Sequence, residues 1–281
     1  MTWWQALLSG IIQGLTEFIP VSSSGHLVIF NQVFGDGAYY ENIAFTVFLH
    51  FGTLVAVIAM FFKDVLMLIK EFFASMWDLI RGKPNFKTPE RKLLLMIILA
   101  SIPVTLVGVG LEFAGWTQIL DNIFVTAAFL FVTAILLMAI HNIGKNEKGE
   151  GTNAENTPLK RGFFVGAAQA VAIFPGLSRS GTTIFAARKL GLSREFAVRF
   201  SFLMSIPVIF GANLFYLFDF LGGDGLDIHF SALAIGFLAS LIFGILAIKL
   251  VKVLIKTNRF YLFAIYCIIA ALAALAIGIF M

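Results

Sequence analysis

Charge is scarce in this chain. Only 13% of its 281 residues are Asp, Glu, Lys or Arg, against 59% apolar, and its mean hydropathy is +0.94. A soluble globular domain carries about 25% charged residues, so the composition excludes one and specifies an integral membrane protein. The single cysteine, Cys267 in the terminal apolar run, excludes an intrachain disulfide and is expected to face lipid or to pack. No Cys/His metal spacing, P-loop or dinucleotide glycine fingerprint is present, which removes those site classes. The net charge of +4 is no nucleic-acid footprint, because the bases sit where cytoplasmic loops are expected. No basic residue precedes the first apolar stretch, so a cleaved signal peptide is not expected.

What is present is apolar sequence in span-sized pieces. At about 20 residues per helix, the length accommodates roughly six to eight membrane segments in one domain. Six clean stretches stand out: 43–62, 93–113, 122–141, 200–219, 230–248 and 259–279. Two others, 3–30 and 162–187, carry proline, glycine and polar residues that a spanning helix would not, and read as re-entrant helical hairpins. The predicted fold is therefore all-α, with about six transmembrane helices plus two re-entrant hairpins.

Nineteen of the twenty Lys and Arg residues fall in the connections 63–92, 145–161, 188–199 and 249–259. By the positive-inside rule, the connections 63–92, 142–161, 188–199 and 249–259 are cytoplasmic. The stretches 31–42 (Asp36, Glu41), 114–121 and 220–229 (Asp224, Asp227) contain no base and are expected outside. Residues 162–187 must then enter from the cytoplasm and return. With 3–30 dipping from the other face, both termini lie outside.

A shift of 156 residues superposes the two irregular segments. Gly10, Gln13, Phe18, Ser22, Ser24 and Gly25 fall on Gly166, Gln169, Phe174, Ser178, Ser180 and Gly181. Two related hairpins entering from opposite faces make an inverted-topology repeat with its site near the midplane. Repeat 1 covers about 1–113 and repeat 2 about 160–250; beyond the hairpins the halves do not align.

The twentieth base is Arg179, in F-P-G-L-S-R-S-G-T-T, amid apolar and small residues. A charge at bilayer depth costs roughly 2.5–3.5 kcal/mol on insertion scales, which makes an isolated one a functional-site candidate. Broken backbone, hydroxyls and a guanidinium fork together suit a phosphate oxyanion. In the first hairpin, Gln13 and Glu17 share a helix face. Glu17 is the only acid well inside an apolar segment, so its natural partner is Arg179 or a divalent cation. After Pro20, Ser22, Ser23, Ser24 and Gly25 form a nest-like turn, followed by His26, a candidate acid/base or nucleophile toward phosphorus. The bland alternatives are a Glu–Arg pair that pins the hairpins, serines that serve small-residue packing, and a core histidine. His50, inside an apolar span, reads as a supporting residue; His141 and His229 lie at span ends.

Two motifs carry a family resemblance. Gln13-x-x-x-Glu17 runs into Pro20-Val21-Ser22-Ser23-Ser24-Gly25-His26, and Pro175-Gly176-Leu177-Ser178-Arg179-Ser180-Gly181-Thr182-Thr183 follows in the second hairpin. The chain resembles the undecaprenyl-diphosphate phosphatases of the bacitracin-resistance type. The resemblance implies a multi-pass enzyme of the bacterial plasma (inner) membrane that converts the C55 isoprenoid diphosphate to the monophosphate carrier lipid of cell-wall synthesis. It implies a requirement for Mg²⁺ or Ca²⁺, with Glu17 as metal or base residue. Ser23, His26 and Arg179 would complete the catalytic set, with Arg179 clamping the diphosphate. Gln13, Ser22, Ser24, Gly25, Gly176, Ser178, Ser180 and Thr183 are the expected substrate-binding positions. Gln at position 13, where many relatives have Glu, disfavours a two-carboxylate metal site. Either Ser23 or His26 attacks, or Glu17 or His26 activates water; the working assignment is His26 as acid/base with Ser23 beside it. The expected partners are the polyprenyl diphosphate and membrane lipid, with no nucleic acid and with a homodimer open. The rival reading is a polyprenyl-phosphate flippase, which needs the same clamp but no placed nucleophile.

Overall fold

A computed structural model describes residues 2–35, 43–83, 85–114, 122–145, 151–221 and 230–281. The acidic positions Asp36, Glu41, Asp224 and Asp227, as well as His229, lie outside the described residues, as do most of 114–121 and part of 142–161. Among the described residues every regular element is helical apart from one isolated bridge: α1 (Trp3–Phe18), α2 (Ser23–Phe34), α3 (Ile43–Met60), α4 (Phe62–Ile80), α5 (Pro89–Phe113), α6 (Ile123–Lys145), α7 (Lys160–Val171), α8 (Arg179–Lys189), α9 (Arg194–Leu221), α10 (Phe230–Lys256) and α11 (Phe260–Phe280). Five of these are long and apolar enough to cross a membrane, and the α3–α4 pair makes a sixth candidate. The chain is thus an all-α integral membrane protein.

The helices run past the apolar windows read from the sequence. Helix α9 starts at Arg194 and α10 ends at Lys256, because hydropathy marks the apolar part of a helix while Lys, Arg and Glu continue it. The stretch 63–92, read as a polar connection, is mostly helix α4, bent 89° from α3. Its charges recur at helical spacing, which a search for uninterrupted apolar runs passes over.

The irregular segments are two short helix pairs, α1–α2 and α7–α8. Each first helix packs through glycines. Added Cβ atoms at Gly10 and Gly14 of α1 would lie 2.5 Å from the Gly236 carbonyl oxygen and 2.7 Å from the Ser240 carbonyl oxygen of α10. On α7, Cβ atoms at Gly162 and Gly166 would lie 2.8 Å and 2.1 Å from the Met96 and Ala100 carbonyl oxygens of α5. Small residues four apart let membrane helices approach backbone to backbone, where dispersion and weak hydrogen bonds replace the missing hydrophobic drive. Helix α6 packs on α11, α3 on α9 and α10, and α2 and α8 both touch α6. Cys267 is fully buried on α11.

Candidate active site

The site forms where the starts of α2 and α8 meet. Pro20 ends α1, and the chain turns through Ser22, whose φ of 74° is unusual for a residue with a side chain. Ser22 caps α2, its hydroxyl accepting from the Gly25 N–H at 3.2 Å. Ser178 does the same for α8, accepting from Gly181 N–H at 3.1 Å. These caps leave the other N–H groups of each first turn as donors for a guest, and the dipole of each helix favours an anion there. A Cβ on Gly25 would lie 2.9 Å from the Gly176 Cα, so the two turns meet there glycine against glycine. Gly176, at φ 89°, has its carbonyl held by the Thr133 hydroxyl at 2.8 Å; that hydroxyl oxygen also accepts from the Ser178 N–H at 2.9 Å.

Glu17, one residue from the end of α1, is the hub. Its carboxylate accepts from the Arg179 guanidinium, from the Ser23 hydroxyl at 2.6 Å and from the Gln13 amide at 2.9 Å. The His50 Nε2 stands 3.8 Å away. Glu17 and Gln13 are buried, while Ser23 and Arg179 are half-buried. Two polar atoms in this cluster are buried without a partner among the described residues: Arg179 Nη1 and Gln13 Oε1. Burying such atoms unpaired costs about 1–3 kcal/mol, more for charged groups, so both atoms have hydrogen-bonding capacity to offer a ligand.

His26 does not join this cluster. Its Nδ1–H donates to the Ser22 carbonyl at 2.6 Å, because a carbonyl can only accept. That leaves Nε2 to accept from the Tyr266 hydroxyl at 2.8 Å, with the rings parallel within 4° and 5.5 Å apart. The histidine against Glu17 is His50, whose Nδ1–H donates to the Thr46 carbonyl at 2.9 Å and turns Nε2 toward the carboxylate. Thr183 also has no bond to the Glu17 carboxylate: fully buried, its hydroxyl is 2.6 Å from the Ser201 hydroxyl and braces α8 on α9. The Ser22–Ser24 and Ser178–Ser180 hydroxyl pairs, each 3.3 Å apart, share one geometry at the two helix starts. Sequence reasoning did not reach Tyr266, Thr133 or Ser201. A lone hydroxyl in an apolar span is a weak local signal, and their partners are 18 to 240 residues away.

The match to known proteins covers nearly the whole chain. Residues 6–273 fit the family model described as bacitracin resistance protein BacA. A protein named undecaprenyl-diphosphatase from Methanobrevibacter smithii is 44% identical over 266 residues, covering 94% of this chain and 93% of that one. Proteins of the same name from Methanosphaera stadtmanae and Korarchaeum cryptofilum are 39% and 38% identical, covering at least 97% of both partners in each pairing. The chain belongs to the BacA family.

Proposed function

We propose that the chain is a phosphatase that hydrolyses undecaprenyl diphosphate to undecaprenyl phosphate and inorganic phosphate. The observation that carries this is the Glu17 carboxylate holding both Ser23 and Arg179 where two capped helix N-termini meet. Phosphoryl transfer needs neutralised charge and an aligned nucleophile, and this arrangement supplies both. The diphosphate sits between the helix starts and draws the Arg179 fork, whose Nη1 has a buried donor to offer. Glu17, relieved of its cation, takes the Ser23 proton as the Ser23 oxygen attacks the terminal phosphorus. The new Ser23 O–P bond forms as the bond to the lipid monophosphate breaks, and water then releases phosphate. His26, tied to Tyr266, holds the α2 turn.

Glu17 and the Gln13 Oε1 are oxygen donors of the kind a hard divalent cation takes. Among the described residues no group of three His, Cys, Asp or Glu forms a cage, which fits an ion held by one carboxylate together with substrate phosphates. Such an ion would offset diphosphate charge. The helix pairs are re-entrant in this reading, with the basic connections on the cytoplasmic side of the plasma membrane and both termini outside. The exchange of α1, α2, α3, α5 and α6 for α7, α8, α9, α10 and α11 maps many of the helix contacts onto one another, as an inverted repeat requires.

The test is phosphate release from undecaprenyl diphosphate by purified protein in detergent, with magnesium or a chelator. Arg179→Ala and Ser23→Ala should each lose at least about 100-fold, and His26→Gln much less. Wild-type protein that translocates the lipid in vesicles but releases no phosphate would overturn the assignment.

A further inference from the structure

Helix α4 has no part in this chemistry, yet its side chains are sorted into three sectors. Asp64, Glu71 and Asp78 recur every seven residues, two turns apart, and so share one face. All three are held by the protein. Arg199 of α9 grips Asp64 through Nε at 3.1 Å and Nη2 at 2.6 Å. Arg91 of α5 reaches Glu71 through Nε at 2.9 Å and Asp78 through Nη1 at 2.6 Å. These pairs fix the roll of the helix about its axis.

The opposite face is apolar. Phe62, Leu66, Ile69, Phe73, Trp77 and Ile80, spaced three or four apart, are between 41% and 75% exposed, and no residue of α4 is fully buried. Between the two faces, along one edge, run the exposed bases Lys63, Lys70 and Arg81, with the Arg81 guanidinium 4.5 Å above the Trp77 ring. Five charges in 19 residues rule α4 out as a span. An 89° bend directly after α3 turns α4 sharply away from the line of that helix.

We infer that α4 is an interfacial helix that binds the membrane surface: its apolar face lies in the acyl–headgroup boundary, and Lys63, Lys70 and Arg81 engage anionic lipid headgroups. A basic border beside an aromatic face is the pattern that anionic lipid surfaces recruit. The acidic row, which such a surface would repel, is turned away and neutralised by Arg91 and Arg199.

The test uses the full chain in phospholipid vesicles, with Trp77→Phe as reference. A nitroxide-labelled lipid carrying its label near the headgroup should quench wild-type fluorescence more than that of Trp77→Phe, by roughly the share of one tryptophan in four. A label deep in the acyl chains should give no such difference. Adding anionic lipid should raise the thermal midpoint of wild type, and the Lys63→Ala/Lys70→Ala/Arg81→Ala variant should lose most of that rise. Quenching of Trp77 by aqueous iodide instead of shallow lipid label would overturn the placement, as would protection from both, the result expected if a second copy covers the face. An equal rise in the triple variant would overturn the headgroup contact.

Discussion

The two helix pairs share a scaffold and differ in chemistry. Both pack their first helix through glycines, both cap the second with a serine that accepts from a glycine N–H, and both present a helix N-terminus to the same space. Aligned position by position, however, Glu17 falls on Ile173, Ser23 on Arg179 and His26 on Thr182. The first pair supplies acid and hydroxyl, the second supplies the cation. Each half alone would bury an unpaired charge, which is strongly unfavourable in a low-dielectric setting. The two charges are satisfied only when the pairs assemble, so one contact between the hairpins is also the cluster proposed to react.

The largest expected effect breaks that division directly. Glu17→Ala should lower phosphate release by at least about 100-fold, while Ile173→Ala at the aligned position changes it only a few-fold. Removing one charge should also destabilise: Arg179→Ala leaves Glu17 buried without its cation, held by the Ser23 and Gln13 hydrogen bonds alone, at a cost of about 3–5 kcal/mol, partly restored in Glu17→Gln/Arg179→Ala. Thermal unfolding in detergent reads that coupling, and simple additivity of the two changes would contradict it. Next in size is the close packing of the second turn on α6 at Gly176. Gly176→Ala combines positive φ with a Cβ 2.2 Å from the Thr126 carbonyl oxygen, and should lower stability by roughly 2–4 kcal/mol. Gly82→Ala, at φ 66° with nothing within 4 Å, should cost only about 1 kcal/mol, which isolates the contact from the backbone strain. The smallest effect sharpens the assignment of the histidines. Tyr266→Phe removes one neutral hydrogen bond from His26, worth about 1 kcal/mol, and should reduce turnover less than 10-fold. A loss as large as that of Glu17→Ala would return His26 to the reacting centre.

Much of this was legible in the chain. Composition and apolar run length are local properties that lipid selects for directly, and they specified a membrane protein with about six spans. Proline, glycine and serine clusters break helices wherever they occur, so the two irregular segments, and the residues within them, stood out without coordinates. Glu17 and Arg179 were conspicuous because charge at that depth is costly. Packing of distant segments decided the rest. That Glu17 holds Ser23 and Arg179 at once, that His26 turns to a tyrosine 240 residues away while His50 takes the place beside the carboxylate, and that Thr183 braces α9 all depend on how whole helices dock. The roll of α4 is of the same kind: its periodicity was in the sequence, but only Arg91 and Arg199, brought in on other helices, determine which face is left for the membrane.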